Sequence, residues 1–222
     1  MQAIGGWDKP NVAQAQLELV TMELSHMDNV VPFISFRWAM QQISPPKGTT
    51  LLDIGCGVGH YGVLCERYWP GVLYYGSDAY EPMIDRARLL APLGGFSVCP
   101  FEDNAFGAYD IVLISQVVET TPDPVAMMRL ALSRCERIVI LNRIRLTTGS
   151  SHSIEETTYC GNVGRNWLWN MSELRELIAD YGTVRYCSSW DNESAATLVL
   201  EMKHDKSAEL CGCGNACSCQ SA

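Results

Sequence analysis

No stretch of this sequence leaves the chain less freedom than Leu51-Leu52-Asp53-Ile54-Gly55-Cys56-Gly57-Val58-Gly59-His60-Tyr61-Gly62. An apolar run reaches an acid, passes through glycines at alternate positions and continues into a helix-like segment, Tyr61 to Tyr68. This is the pattern of a strand, a tight turn and a helix start. Glycine reaches positive φ without a Cβ clash and lets a ligand approach the backbone closely, while the unpaired N–H groups at a helix start attract electron-rich groups. A nucleotide-like ligand matches that chemistry. Gly57-x-Gly59-x-x-Gly62 also fits the dinucleotide pattern, and Asp78 lies 19 residues after Gly59, where a ribose-binding acid is expected. These residues alone leave a nicotinamide-dependent dehydrogenase open beside other nucleotide-cofactor proteins.

Asp53 and Gly55 extend the pattern to Asp-x-Gly-x-Gly-x-Gly, which resembles motif I of the class I S-adenosylmethionine-dependent methyltransferases; the resemblance covers Thr50 to Asn142. It implies an α/β, Rossmann-like fold: a seven-stranded, mostly parallel sheet with its last strand reversed, flanked by helices and preceded by an N-terminal helical cap. It also implies S-adenosyl-L-methionine as cofactor. Asp53, Gly55, Cys56, Gly57 and Gly59 would surround the methionine portion, and Asp78 would accept from the ribose hydroxyls or, alternatively, cap the helix after it. Ala79 and Met83 would lie on the ribose and adenine side. Phe101 would pack on adenine and Glu102, with Asp103 as the alternative acid, would accept from its amine. Tyr109-Asp110-Ile111-Val112-Leu113-Ile114-Ser115 resembles the family's fourth strand, which turns Ser115 and Gln116 toward the cofactor. Where the family often carries a histidine, this chain reads Val118-Glu119-Thr120-Thr121-Pro122. Glu119 there either orients or deprotonates an acceptor or is a solvated capping residue, so no catalytic residue is assigned.

The chain divides into a helical cap or lid at 1–46, a cofactor-binding domain at 47–203 and a cysteine-rich tail at 204–222. Ala13, Leu17, Val20 and Leu24, then Val30, Ile34 and Trp38, fall at helical spacing. His26, Asp28, Asn29 and Arg37 are either acceptor-pocket residues or a solvated face. Pro45-Pro46-Lys47-Gly48 breaks this region from the first strand. Strands are expected at 72–77, 95–99, 109–115 and 137–141, with helices at 81–91 and 123–134. Residues 143–166 read as a long loop that covers the substrate. Asn170 to Glu173 resembles a capping box opening a helix that packs through Leu174, Leu177, Ile178 and Tyr181, and 183–190 with 196–203 form a closing hairpin.

With 47% hydrophobic residues the chain can build a substantial core, and its net charge of −9 gives no electrostatic reason to expect a nucleic-acid partner. The sequence lacks a signal-like N-terminus or a run of membrane-spanning length, so a cytoplasmic protein with no membrane association is expected. Six of the ten cysteines are scattered singly; the other four, Cys211, Cys213, Cys217 and Cys219, form two Cys-x-Cys pairs able to converge on a soft metal ion, or stand as free or oxidised thiols. The expected activity is methyl transfer to a small-molecule acceptor, oxygen or nitrogen before a metalloid. A non-catalytic cofactor- or metal-binding protein is the rival class. The acceptor and the oligomeric state are not legible.

Overall fold

A computed structural model describes residues 11–159, 162–191 and 193–203. The elements run α1 (Val12–Ser25), α2 (Val31–Ile43), β1 (Thr50–Ile54), α3 (His60–Tyr68), β2 (Leu73–Asp78), α4 (Glu81–Leu90) and β3 (Gly95–Val98). They continue with β4 (Ile111–Ser115), α5 (Pro124–Arg134), β5 (Ile138–Arg145), β6 (Ser153–Tyr159), β7 (Asn162–Leu168), α6 (Met171–Ala179), β8 (Gly182–Trp190) and β9 (Ala195–Met202). Seven strands form one sheet in the order β3-β2-β1-β4-β5-β9-β8. The pairs from β3 through β5 are parallel and β9 is antiparallel to both its neighbours, so the expected class and the single reversed strand are both present.

The central strands read as unbroken apolar runs because both sheet faces are covered. Ile111 and Leu113 of β4 point into a core with Phe33, Phe36 and Leu64, whereas Val112 and Ile114 point into the opposite core with Met128, Leu132, Leu174 and Ile178. The strand order reverses beside β1 and β4, where an open α/β sheet leaves a crevice at the carboxyl ends of its strands.

Two expectations are corrected. The inner stripe of helix α2 is Phe33, Phe36, Ala39 and Met40, which are buried, while the expected Val30 and Trp38 pack half-buried at the edge of the same core, and the helix lies against β5, β8 and β9. Large apolar residues occur all along this segment, so composition alone could not choose its inner stripe. Within 143–166, the chain is not a loose loop: β5 runs on to Arg145, and β6 pairs with β7 as a separate antiparallel hairpin. Strand β7 packs against a short 3-10 helix, Val118–Thr120, at the crevice. The cysteine pairs of the tail lie outside the described residues, and among those residues no group of three potential metal ligands occurs. No helix among the described residues is long and apolar enough to cross a membrane.

Candidate active site

A cavity of about 770 Å³ opens at the carboxyl ends of β1, β2 and β4. Its floor is the glycine turn. Gly55, Gly57 and Gly59 all have positive φ, at 69°, 53° and 80°. A Cβ on Gly55 would meet Val117 Cγ2 at 2.4 Å, and one on Gly57 would meet Gln16 Oε1 at 2.8 Å, so the turn is tightly covered on two sides. Gly59 serves packing, since a Cβ there would strike Ala87 and Phe96.

Asp78 ties this turn to the second strand. Its Oδ2 accepts from the Gly57 N–H at 3.0 Å and its Oδ1 from the Tyr80 N–H at 2.9 Å. Burial raises its pKa while the Tyr80, Gly57 and Ala79 amides pull it back. Each carboxylate oxygen keeps further acceptor capacity, so the same group can hold the turn and still face a ligand hydroxyl.

Gly55, Gly57, Asp78, Ala79, Met83, Phe101, Glu102, Ser115 and Gln116 line the cavity together. Asp53, Cys56 and Gly59, expected beside the ligand, are not among the lining residues. Asp53 is 1% exposed and accepts a 2.6 Å hydrogen bond from the Tyr74 hydroxyl. Burial pushes its pKa up to about 8, the Tyr74 bond lowers it and the charge of Asp78 raises it again. The Cys56 thiol is buried and its pKa is likewise raised by burial. Glu102 lines the cavity and Asp103 does not. Nor do His26, Asp28, Asn29 or Arg37 line it: Arg37 is ion-paired with Asp28 and donates to the Tyr68 hydroxyl at 2.9 Å. Helix α1 and the start of α2 contribute Gln16, Glu23 and Phe33 to the lining instead.

Beneath Ser115 runs a buried polar network. Asn142 Nδ2 donates to the Tyr61 hydroxyl at 2.8 Å, Ser35 Oγ donates to Asn142 Oδ1 at 2.8 Å, and the Tyr61 and Ser115 hydroxyls lie 2.9 Å apart. Just past Asn142 the β5–β9 register shifts between Leu141 and Ile144, and Arg143 takes φ 52°. Such a bulge re-aims side chains. Arg143, ion-paired with Asp191, and Arg145, 2.7 Å from Glu155, both line the cavity. Gln116, at the end of β4, also has positive φ, 55°. Strained backbone at two lining residues marks the region where β4 and β5 end as specialised.

Three residues not assigned from the sequence carry unpaired polar atoms. Gln16 Oε1, His60 Nδ1 and both carboxyl oxygens of Glu119 are buried without a hydrogen-bond partner among the described residues, and all three residues line the cavity. Burial alone lowers the His60 pKa to about 4, leaving a neutral imidazole. Burial raises Glu119 to about 7 against the smaller opposing pull of nearby backbone amides and Arg145. A positive-φ glycine turn lining the cavity, a carboxylate beside it and unsatisfied polar atoms around it fit a nucleoside-bearing cofactor with a polar amino-acid end.

Residues 31–184 match a family model described as a methyltransferase domain. A malonyl-[acyl-carrier protein] O-methyltransferase of Herminiimonas arsenicoxydans is 32% identical over 114 residues, which are 49% of this chain and 42% of the relative; the chain thus spans less than half the length of that protein. Among solved structures, magnesium protoporphyrin IX methyltransferase from Synechocystis PCC 6803 with bound S-adenosylmethionine superposes with a TM-score of 0.59 at 18% identity, covering 89% of this chain and 92% of that one. An amino pentose methyltransferase from Micromonospora echinaspora gives a TM-score of 0.59 at 15% identity, covering 82% and 96%.

Proposed function

Because the chain belongs to the methyltransferase-domain family and has its class I S-adenosylmethionine-dependent fold, we propose that it methylates a small molecule at an oxygen or nitrogen atom. The observation that carries this reading is the Asp78-anchored glycine turn opening on a cavity large enough for a cofactor and a second ligand. Gly55, Gly57 and Asp78 would hold the cofactor's amino-acid and ribose portions, with Ala79, Met83, Phe101 and Glu102 around its base. When bound, S-adenosylmethionine supplies an electrophilic methyl group on a sulfonium. Ser115, fixed by Tyr61 and Asn142, and Gln116 would line the cofactor side of the transfer point. Glu23, Arg143 and the hairpin residues Gly164, Arg165 and Asn166 would surround the acceptor. Close positioning of acceptor and methyl supplies much of the rate in such a site.

The relatives favour the small-molecule reading: they are methyltransferases of malonyl-[acyl-carrier protein], of magnesium protoporphyrin IX and of an amino pentose. Incubation with methyl-labelled S-adenosylmethionine and a panel of hydroxyl, amine and carboxylate acceptors tests it. Labelled product that disappears with Asp78→Ala is the expected result. Cofactor binding without transfer across the panel would favour the non-catalytic class. The cysteine pairs of the tail would bind a soft metal ion as a separate property, which metal analysis of protein purified under reducing conditions tests.

A further inference from the structure

The carboxyl of Glu119 is the least satisfied polar group in the cavity. The residue is 3% exposed, neither oxygen has a partner in hydrogen-bond geometry among the described residues although the Glu119 and Arg145 amides stand near enough to lower its pKa, and the side chain lines the cavity rather than the core. A buried carboxyl in that state calls for a partner that arrives from outside. The 3-10 helix that carries it stands between two halves of the cavity. On one side its leading residue, Val117, closes over Gly55 of the glycine turn; on the other it packs against β7, which brings Gly164, Arg165 and Asn166 to the lining. A donor methyl held by the turn and an acceptor held by the hairpin must meet along this helix.

Charge decides what the partner is. Glu23 on α1, His60 on α3, Arg143 and Arg145 on β5 and Arg165 on β7 line the cavity from the elements around Glu119, with Asp78 and Glu102 across it. His60 is neutral, Arg143 is paired with Asp191 and Arg145 with Glu155, which leaves Arg165 as the one lining cation without an ion pair among the described residues, against four lining carboxylates, Glu23, Asp78, Glu102 and Glu119. The balance of the lining is acidic, which suits a cation better than an anion. Resting on the cofactor reading above, we propose that Glu119 is the counter-charge for the cofactor's sulfonium and lets the protein favour the charged methyl donor over its neutral product. The consequence is directional exchange: the donor is held while its charge lasts, and S-adenosylhomocysteine, lacking that charge, is released more readily. A group of pKa about 7 makes the preference pH-dependent.

The experiment is calorimetric titration of the full chain with S-adenosylmethionine and with S-adenosylhomocysteine, for the natural protein, Glu119→Gln and Glu119→Asp, at pH 6 and pH 8. The proposal expects Glu119→Gln to weaken the donor about tenfold and to leave the product within about twofold. Glu119→Asp keeps most of the donor preference. In the natural protein the donor-to-product affinity ratio rises from pH 6 to pH 8, and in Glu119→Gln it is flat, which separates Glu119 from Asp53, the other buried acid titrating in this range. Repeating the natural-protein titrations in two buffers of different ionisation heat reads proton release without any variant: release with the donor and none with the product is expected. Equal weakening of both ligands, an unchanged ratio in Glu119→Gln, or equal proton release with both would overturn the proposal. If the folded natural protein binds neither ligand, the cofactor reading itself fails.

Discussion

At the scale of single residues, the glycine turn and the buried acids make the sharpest demands. Gly55→Ala places a Cβ 2.4 Å from Val117 Cγ2 at φ 69°, whereas Gly57→Ala at φ 53° meets only the mobile end of Gln16. Gly55→Ala therefore costs at least about 2 kcal/mol and Gly57→Ala about 1 kcal/mol, and Val117→Ala recovers part of the first; urea unfolding of the three variants checks the order. Asp53 and Glu119 have folded pKa values of about 8 and about 7, above the ordinary carboxylate range near 4. The folded state thus favours their protonated forms. Their stabilising share is full below about pH 4 and is lost as pH rises through 7 to 8, so unfolding free energy falls from pH 5.5 to pH 8. Glu119→Gln narrows that fall; an unchanged slope would show that its carboxyl is ionised throughout. The glycines and Asp78 were legible because their spacing is itself the geometry. Glu119 was legible only as one of two alternatives, because its burial decides between them, and Asn142 was not, because what distinguishes it is pairing with residues far along the chain, such as the Ser35 that lies 107 positions away.

At the scale of elements, legibility follows how strongly one chain segment dictates its own structure. The parallel strands announce themselves as apolar runs, and Asn170 was read as the start of α6 because its side chain can do what it does here, accepting from the Ser172 and Glu173 amides. Asn170→Ala should cost about 1 kcal/mol, seen as a lower thermal midpoint with cofactor affinity retained. The capping box is incomplete: Glu173 turns away to the His152 amide at 3.0 Å. The β6–β7 hairpin escaped the sequence reading because Ser153-Ile154-Glu155-Glu156-Thr157-Thr158-Tyr159 has little apolar alternation, and its exposed Ile154 and Val163 show that it buries little of its own. What holds it is pairing to its own partner strand and contact with the 3-10 helix at Val118–Thr120, a tertiary fact.

At the scale of the whole molecule, the sheet order and the cavity at its switch point follow from the run of strands and helices between Thr50 and Met202. Truncation after Lys203 should leave cofactor binding within about twofold of the full chain, because among the described residues none beyond Asn166 lines the cavity. The proposed acceptor half is lined by α1, the bulged end of β5 and the hairpin, so its chemistry is written in elements the central motif does not specify. The measurement that bears most directly on the proposed activity is calorimetric titration of the purified, reduced chain with S-adenosylhomocysteine, alongside nicotinamide cofactors and an Asp78→Ala variant. Saturable binding of S-adenosylhomocysteine, absent for the nicotinamide cofactors and weakened at least about tenfold by Asp78→Ala, is the predicted result. Binding of a nicotinamide cofactor in its place, or no binding by protein shown to be folded, would contradict the account.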